Sequence, residues 1–295
     1  MKTKKKYKIG LGSAQWGMNY GISNNNGQSN EEEIKRIISY AEKKNINVID
    51  TAANYGNAEE IIGKYLNSNF KLITKTPHFK SKYLTKSDGE MIISTFKKSL
   101  KNLNKKKIYC LMIHNYSDLF KNGSENIIKS LYELKEKNYV EKIGISIYSN
   151  CEVDKILQKF SPDLVQLPLN IFDQRLLNNG TIDLFKSKGA EIHVRSLFLQ
   201  GLLLMKNIPN YFSPWKGIIN KWNDFCKSHS KSKLEIALNF VNNLNNVDKL
   251  ILGVENLNQL KQINTSLDEN LILDLKEFAC LDENLINPTN WQIND

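Results

Sequence analysis

The chain has 295 residues, of which 41% are hydrophobic and 24% are charged, so it is long enough for one large α/β domain and disorder of the whole chain is excluded. The formal net charge of +10 comes mainly from scattered lysines, and only three of the 41 basic residues are arginine (Arg36, Arg175 and Arg195). Nucleic-acid-binding proteins gather basic residues into a patch and use arginine for bidentate contacts, so we expect no nucleic-acid partner.

Eight short β-rich segments follow one another along the chain. They are YKIGLG from Tyr7, NVID from Asn47, KLITK from Lys71, IYCLMIH from Ile108, KIGIS from Lys142, LVQLPL from Leu164, EIHVRS from Glu191 and KLILGV from Lys249. Most are near-continuous apolar runs, which are typical of strands buried on both faces of a parallel sheet.

Helical patterns lie between these strands. The first is the clearest, because Ser29 and Glu32 form a capping-box pattern and Ile34, Ile37, Ile38 and Ala41 then mark one apolar face. Similar periodicity predicts helices over 88–103, 124–137 and 234–244, and a helix-like stretch over 215–225.

Eight alternating strands and helices, joined by right-handed crossovers, can close into a (β/α)8 TIM barrel, which is the fold that we predict. The alternative is an open doubly wound sheet, but that fold normally carries a GxGxxG turn after its first strand and GLGSAQWG does not supply one. No linker divides the chain, so we expect a single domain over 1–295, with a basic tail at 1–6 and an insertion at 202–233 near the active-site face.

No metal site or disulfide framework is indicated by the cysteines, which form no CxxC or Cys/His pair. They are Cys110, Cys151, Cys226 and Cys280.

The basic start of the chain has no long apolar run, and no segment approaches the length of about 20 apolar residues that a membrane span needs. We therefore expect a cytoplasmic protein without a membrane partner, either a monomer or a simple homo-oligomer.

Polar residues occupy the ends of the predicted strands, and in a barrel all strand C-termini lie on one face. In chain order they are Gly12 and Ser13, Asp50 and Tyr55, Lys75, His114, Ser146, Gln166, Arg195, and Gly253. The sequence therefore predicts that these residues converge on one site.

This set resembles the aldo-keto reductase family. The resemblance rests on DTAANYGNAEE with Asp50, Tyr55 and Glu59, on Lys75 ending LITK and on His114 in LMIH. It extends to GIS, VQLPLN, VRSLFLQGLLL and LILGVENLNQL, and covers the chain from about Ile9 to about Leu260.

The resemblance implies hydride transfer between NADPH or NADH and a small-molecule carbonyl substrate, with Asp50, Tyr55, Lys75 and His114 as the catalytic residues. The residue chemistry agrees, because a carbonyl that accepts hydride needs an acid and a stabiliser of negative charge. Tyr55 would supply the proton, and the Lys75 ammonium would favour the loss of that proton. Asp50 would hold Lys75, and His114 would orient the carbonyl oxygen.

By resemblance, a wider set of residues would bind the nicotinamide cofactor. It comprises Gly12, Ser13, Asp50, Ser146, Gln166, Arg195, Ser196, Gly253, Glu255 and Gln259. The chain departs from many relatives at Ile147, which stands where they carry Asn, and at Arg195, which stands where they carry an aromatic residue. Glu255 and Gln259 stand where relatives bind the 2′-phosphate with basic side chains, so we expect no large preference for NADPH over NADH.

Trp16 and Tyr20 could line the substrate pocket with His114, although packing is nearly as good a role for Trp16. Arg195 and the insertion suggest a polar or anionic substrate, such as a keto sugar or sugar nucleotide.

Glu59 and Glu60 are interpreted as first-turn helix charges. The other histidines, His78, His193 and His229, have no partner that the sequence reveals.

Two further functions stay open from the sequence. One is a nicotinamide-binding regulatory or subunit protein with little catalysis, and the other is an unrelated barrel enzyme in which Lys75 forms a Schiff base.

Overall fold

The computed structural model describes residues 8–66, 70–148, 153–268 and 270–293. The basic tail at 1–6, Tyr7 and Cys151 lie outside these ranges.

Eight parallel strands, each hydrogen-bonded to its two neighbours, close into a barrel in chain order. They are β1 (Ile9–Gly12), β2 (Val48–Asp50), β3 (Lys71–Lys75), β4 (Ile108–Ile113), β5 (Val140–Ser146), β6 (Leu164–Pro168), β7 (Glu191–Arg195) and β8 (Lys249–Gly253). Because β1 pairs with β8 as well as with β2, the sheet has no open edge. The predicted (β/α)8 barrel is confirmed, and the open doubly wound sheet is excluded.

Helices follow the strands and pack around the barrel. They are α1 (Ala14–Gly17), α2 (Glu31–Lys43), α3 (Ala58–Tyr65), α4 (Lys86–Asn102), α5 (Glu125–Glu136), α6 (Val153–Lys159), α7 (Arg175–Asn178), α8 (Thr181–Ser187), α9 (Lys216–Ser228), α10 (Lys233–Asn242), α11 (Leu257–Thr265) and α12 (Glu283–Ile286). Short 3₁₀ segments lie at Tyr116–Phe120, Leu199–Leu204, Asn210–Trp215, Lys276–Phe278 and Pro288–Asn290.

The predicted start of α2 is wrong by one residue. Asn30, not Ser29, is the N-cap, because its side chain accepts a hydrogen bond from the backbone N–H of Glu33. The Ser29 hydroxyl instead donates to the carbonyl of Glu255 at 2.8 Å, which ties the start of α2 to the loop after β8. The spacing of residues in the sequence cannot show which of two adjacent residues caps the helix, because the contact of Ser29 with Glu255 decides it.

Alternating strand residues divide the core into two layers. One set packs against the helices, while Val48, Ile73, Met112, Leu164 and Ile251 belong to a separate cluster made of strand residues alone. A third cluster joins the segment after β7, α9 and the C-terminal segment, with Phe212, Trp222 and Phe278 among its buried members. The barrel is therefore a filled scaffold, and open space is found above its C-terminal face.

Within the ranges that the structure describes, every helix is too short or too polar to cross a lipid bilayer.

Candidate active site

A cavity of about 470 Å³ opens at the C-terminal ends of the strands. Fourteen of the residues singled out from the sequence line it: Gly12, Ser13, Tyr20, Asp50, Tyr55, Lys75, His114, Ser146, Gln166, Arg195, Ser196, Gly253, Glu255 and Gln259. Parallel strands of a closed barrel end at one face, so positions up to 247 residues apart along the chain, from Gly12 to Gln259, meet there.

The last residues of β2 and β3 form a buried ion pair at the base of this cavity. Lys75 Nζ lies 2.6 Å from Asp50 Oδ2 and donates a second hydrogen bond to the carbonyl of Thr51 at 2.9 Å. The other carboxylate oxygen, Asp50 Oδ1, accepts from the Gln166 amide at 2.9 Å. Each group is therefore held in one orientation, as a buried charge pair requires.

The ion pair keeps Lys75 protonated. Burial by itself would lower the pKa of the Lys75 ammonium, but the negative charge of Asp50 and its hydrogen bond to Lys75 outweigh burial and raise that pKa above its ordinary value. Lys75 is consequently a fixed positive charge at the base of the cavity.

Tyr55 lies in the turn between β2 and α3, above this charge. Lys75 Nζ is 5.2 Å from the centre of the Tyr55 ring. The turn is pressed against α1, because a Cβ atom on Gly17 would lie 1.8 Å from the Tyr55 carbonyl oxygen and one on Gly56 would lie 2.0 Å from the Gly17 carbonyl oxygen. Gly56 also has a φ of +52°, which favours glycine. These two glycines allow the close backbone approach that fixes the position of Tyr55.

His114 follows β4 directly and faces Tyr55, with the ring centres 6.1 Å apart and the planes at 81°. Its backbone N–H donates to the Thr76 hydroxyl at 3.1 Å, which holds it against the loop after β3. Burial, together with the positive charge of Lys75, lowers the pKa of the His114 imidazole to about 2. His114 is therefore neutral at physiological pH, with one ring nitrogen as a donor and the other as an acceptor.

The structure gives His78 a partner that the sequence did not reveal. His78 Nε2 lies 3.2 Å from His114 Nδ1, and the two ring centres are 4.4 Å apart. The available signal was the position of His78 three residues after Lys75, in a loop that follows a strand at the active-site face.

Residues near β1 and β8 line the other end of the cavity, and their chemistry shows whether a nicotinamide cofactor would fit there. The buried Ser13 hydroxyl lines the cavity and has no hydrogen-bond partner within the described parts of the chain. Gly253 also lines the cavity, and because a Cβ atom there would lie 2.6 Å from the Gln15 amide, the glycine makes room for the Gln15 side chain. An unsatisfied buried hydroxyl in the cavity wall suits a polar ligand at this end, so the residues present fit the cofactor.

The start of α11 offers few free backbone donors to an anion. The backbone N–H of Leu257 donates to the Glu33 carboxylate at 2.6 Å, and that of Gln259 donates to the Asn256 side chain at 3.0 Å. The backbone N–H of Glu255 donates to the Gln259 side chain at 2.8 Å. Protein groups therefore already occupy the donors that a phosphate would use.

Arg195 ends β7 and is held by three contacts. Its guanidinium donates to the Ile147 carbonyl and to the Ser196 hydroxyl, each at 3.2 Å, and lies 4.3 Å from the centre of the Tyr148 ring. Tyr148 is a cavity residue that the sequence analysis missed. No pattern identified it, because its role depends on a cross-loop contact with Arg195.

One sequence interpretation needs correction. Trp16 is fully buried and donates its indole N–H to the Val254 carbonyl at 3.2 Å, so it packs in the core and does not line the cavity. Glu59 and Glu60 lie in the first turn of α3, as the sequence predicted. Glu59 is in addition buried and accepts a hydrogen bond from Thr74 at 2.7 Å.

Comparison with known proteins agrees with this architecture. The model of the aldo/keto reductase family matches residues 8–286. Among solved structures, the holo form of aldo-keto reductase AKR11C1 from Bacillus halodurans is similar with a TM-score of 0.72 and 20% identity, over 92% of this chain and 89% of that one. The glycerol dehydrogenase AKR11B4 from Gluconobacter oxydans is similar with a TM-score of 0.70 and 19% identity, over 94% of this chain and 91% of that one. No curated protein sequence matches the chain.

Proposed function

Because the chain belongs to the aldo/keto reductase family and is an NAD(P)H-dependent oxidoreductase, we propose that it reduces an aldehyde or ketone with Tyr55 as the proton donor. The observation that carries this proposal is the cluster of Lys75, Asp50, Tyr55 and His114 at the base of one cavity. Without such a cluster a barrel could still bind a nicotinamide, but it would lack an acid next to the reacting carbonyl.

A bound reduced nicotinamide supplies the hydride. The chain's own residues handle the charge that then develops on the carbonyl oxygen. Tyr55 gives its hydroxyl proton to that oxygen, and the Lys75 ammonium below the ring stabilises the phenolate that results. Asp50 keeps the ammonium in place, and neutral His114 donates a hydrogen bond that orients the carbonyl.

Ser13, Ser146, Gln166 and Arg195 are the cavity residues that would hold the nicotinamide end of the cofactor, and Gly253, Glu255 and Gln259 would lie along its adenosine end. Gln166 has one amide proton committed to Asp50 at 2.9 Å. The second amide N–H and the amide oxygen of Gln166 stay available to hydrogen-bond the nicotinamide carboxamide.

The Schiff-base alternative is disfavoured by the charge state of Lys75. An amine that attacks a carbonyl must be unprotonated, which enzymes achieve by lowering the lysine pKa. Here Asp50 raises it. The regulatory alternative is disfavoured because a protein without catalysis would have no need of this buried ion pair beside Tyr55 and His114.

We expect NADH to be used about as well as NADPH. Among the described residues that line the cavity, the only lysine or arginine side chains are Lys75 and Arg195. Glu255 lines the part of the cavity that we propose for the adenosine end of the cofactor, and the Glu33 carboxylate accepts from the first backbone N–H of α11. A 2′-phosphate would therefore meet carboxylates where a selective site offers cations.

Titration of the protein with NADH and NADPH, followed by tryptophan fluorescence, tests both the function and this preference. We predict binding of both cofactors, and a relative gain for NADPH of about fivefold in Glu255→Gln, equivalent to about 1 kcal/mol of removed repulsion. Glu60→Gln, which removes an exposed carboxylate on α3, is the control. Failure of both cofactors to bind would refute the function, and a wild-type preference for NADPH above about a hundredfold would refute the account of Glu255.

Arg195 favours an anionic substrate, such as a sugar phosphate or sugar nucleotide with a reducible carbonyl. Its contacts to Ile147, Ser196 and Tyr148 fix the guanidinium at the cavity wall. The remaining N–H groups of the guanidinium can donate to a substrate carboxylate or phosphate.

Arg195→Ala is predicted to lower kcat/KM for para-carboxybenzaldehyde by roughly tenfold more than for its methyl ester, because only the acid loses a charged partner. Arg195→Lys, which keeps the charge, should lose less. Equal losses for the acid and the ester would remove the argument for an anionic substrate.

A further inference from the structure

His78 contacts His114, one of the proposed catalytic groups, but has no role in the function proposed above. A neutral imidazole has one N–H, and its position is set by the hydrogen bond that the other nitrogen makes. His114 Nδ1 faces His78 Nε2 at 3.2 Å. The partner of Nδ1 therefore decides whether the opposite nitrogen, Nε2, can donate a hydrogen bond into the cavity.

The loop that carries His78 is fixed by the loop after β4. Lys121 Nζ donates to the carbonyl of Phe79, the residue next to His78, at 2.5 Å, and lies 2.6 Å from the buried carboxylate of Asp118. A backbone bond of 2.7 Å from Leu84 to Asn122 joins the same two loops further along. These contacts hold the exposed His78 side chain over His114.

The surroundings of the pair keep His114 neutral. Burial, together with the charges of Lys75 and Arg195, acts against any positive charge on its ring, so one of its two nitrogens accepts a hydrogen bond. If the acceptor is Nδ1, the atom that faces His78, the hydrogen lies on Nε2.

We propose that His78 donates its Nε2–H to His114 Nδ1 and so holds His114 in the tautomer whose Nε2–H faces the substrate carbonyl. His78 is then a positioning residue that acts through His114. The proposal rests on the proposed carbonyl reduction, because only that reaction needs a donor at His114 Nε2.

The direct test is nitrogen NMR of the ¹⁵N-histidine-labelled protein at neutral pH, without cofactor or substrate, since protonated and unprotonated ring nitrogens differ in chemical shift. Wild-type His114 should carry its hydrogen on Nε2. His78→Phe keeps an aromatic ring against His114 but removes the donor, so it should shift His114 towards a mixture of tautomers or to the Nδ1–H form. His78→Gln supplies a replacement N–H and should restore the wild-type signal.

Kinetics then separate positioning from a merely structural role. His78→Phe should lower kcat for an aromatic aldehyde by roughly tenfold or more, since the wrong tautomer removes a donor in the transition state. The Kd for NADH should be unchanged, and His78→Gln should recover much of the rate. His229→Gln, which removes an exposed histidine on another part of the barrel, should behave as wild type.

The proposal is overturned if wild-type His114 carries its hydrogen on Nδ1, if His78→Phe leaves the tautomer unchanged, or if the tautomer changes and kcat does not. The NMR result is independent of turnover. A protein that reduces no carbonyl compound would refute the proposed function, while the spectrum would still report which nitrogen His78 controls.

Discussion

Individual residues at the base of the cavity act through charges that have little access to water. The side chains of Lys75 and Asp50 are only 2% and 6% exposed, so their pairing is maintained by the fold and by the donors around it. The sequence predicted the identity of these residues from their order along the chain. It could not predict the contact between His78 and His114, because that depends on how two loops lie against each other.

Removing one member of the buried pair should cost stability. In Lys75→Met the Asp50 carboxylate stays buried without its counter-charge, and we predict a loss of about 3–5 kcal/mol in the free energy of unfolding, measured by denaturant titration. The double variant Asp50→Asn/Lys75→Met should be more stable than Lys75→Met alone, because it leaves no unpaired charge.

The matched control is Lys86→Met, which removes an ion pair 3.8 Å long whose lysine is 89% exposed. Such a surface pair contributes about 0–1 kcal/mol. Equal losses in Lys75→Met and Lys86→Met would contradict the interpretation of the buried pair.

At the scale of elements, strand ends position the groups that we propose to be catalytic, and loop contacts align them. The strand segments were predicted well because buried parallel strands are continuous apolar runs, although β5 begins at Val140 and not at Lys142. The cap of α2 was predicted at the wrong residue. The close approach of the Tyr55 turn to α1 is reflected in the sequence only by Gly17 and Gly56. A glycine indicates that another backbone comes close, but it does not identify which one.

Gly17→Ala is predicted to disturb both stability and activity. Its Cβ would lie 1.8 Å from the Tyr55 carbonyl oxygen, so the two backbones must separate and Tyr55 must move with its turn. We expect a loss of about 1–3 kcal/mol in unfolding free energy and a fall in kcat that exceeds any change in cofactor affinity.

The control is Gly217→Ala in α9, where a Cβ would meet no atom within 4 Å. Alanine there should be neutral or slightly stabilising because it favours the helix. Wild-type activity in Gly17→Ala would show that the close approach is not needed to position Tyr55.

The whole molecule brings these groups together because the barrel closes. Pairing of β1 with β2 and with β8 places Gly12 beside both Asp50 and Gly253, so the first and last strands meet at one cavity. Alternation of strands and helices was sufficient to predict this topology. The same alternation did not predict how the loops cover the C-terminal face of the barrel. For that reason Trp16 was assigned to the cavity wall, although it lies in the core. We propose that residues 1–295 act as a single barrel domain.

The most direct measurement is single-turnover reduction of an aldehyde by wild type and by Tyr55→Phe, each premixed with NADH and followed by the loss of nicotinamide absorbance. We predict that Tyr55→Phe binds NADH as wild type does, while its rate of reduction falls on the order of a hundredfold or more, because the proton donor is gone. A rate within a few-fold of wild type would contradict the assignment of Tyr55 as the acid.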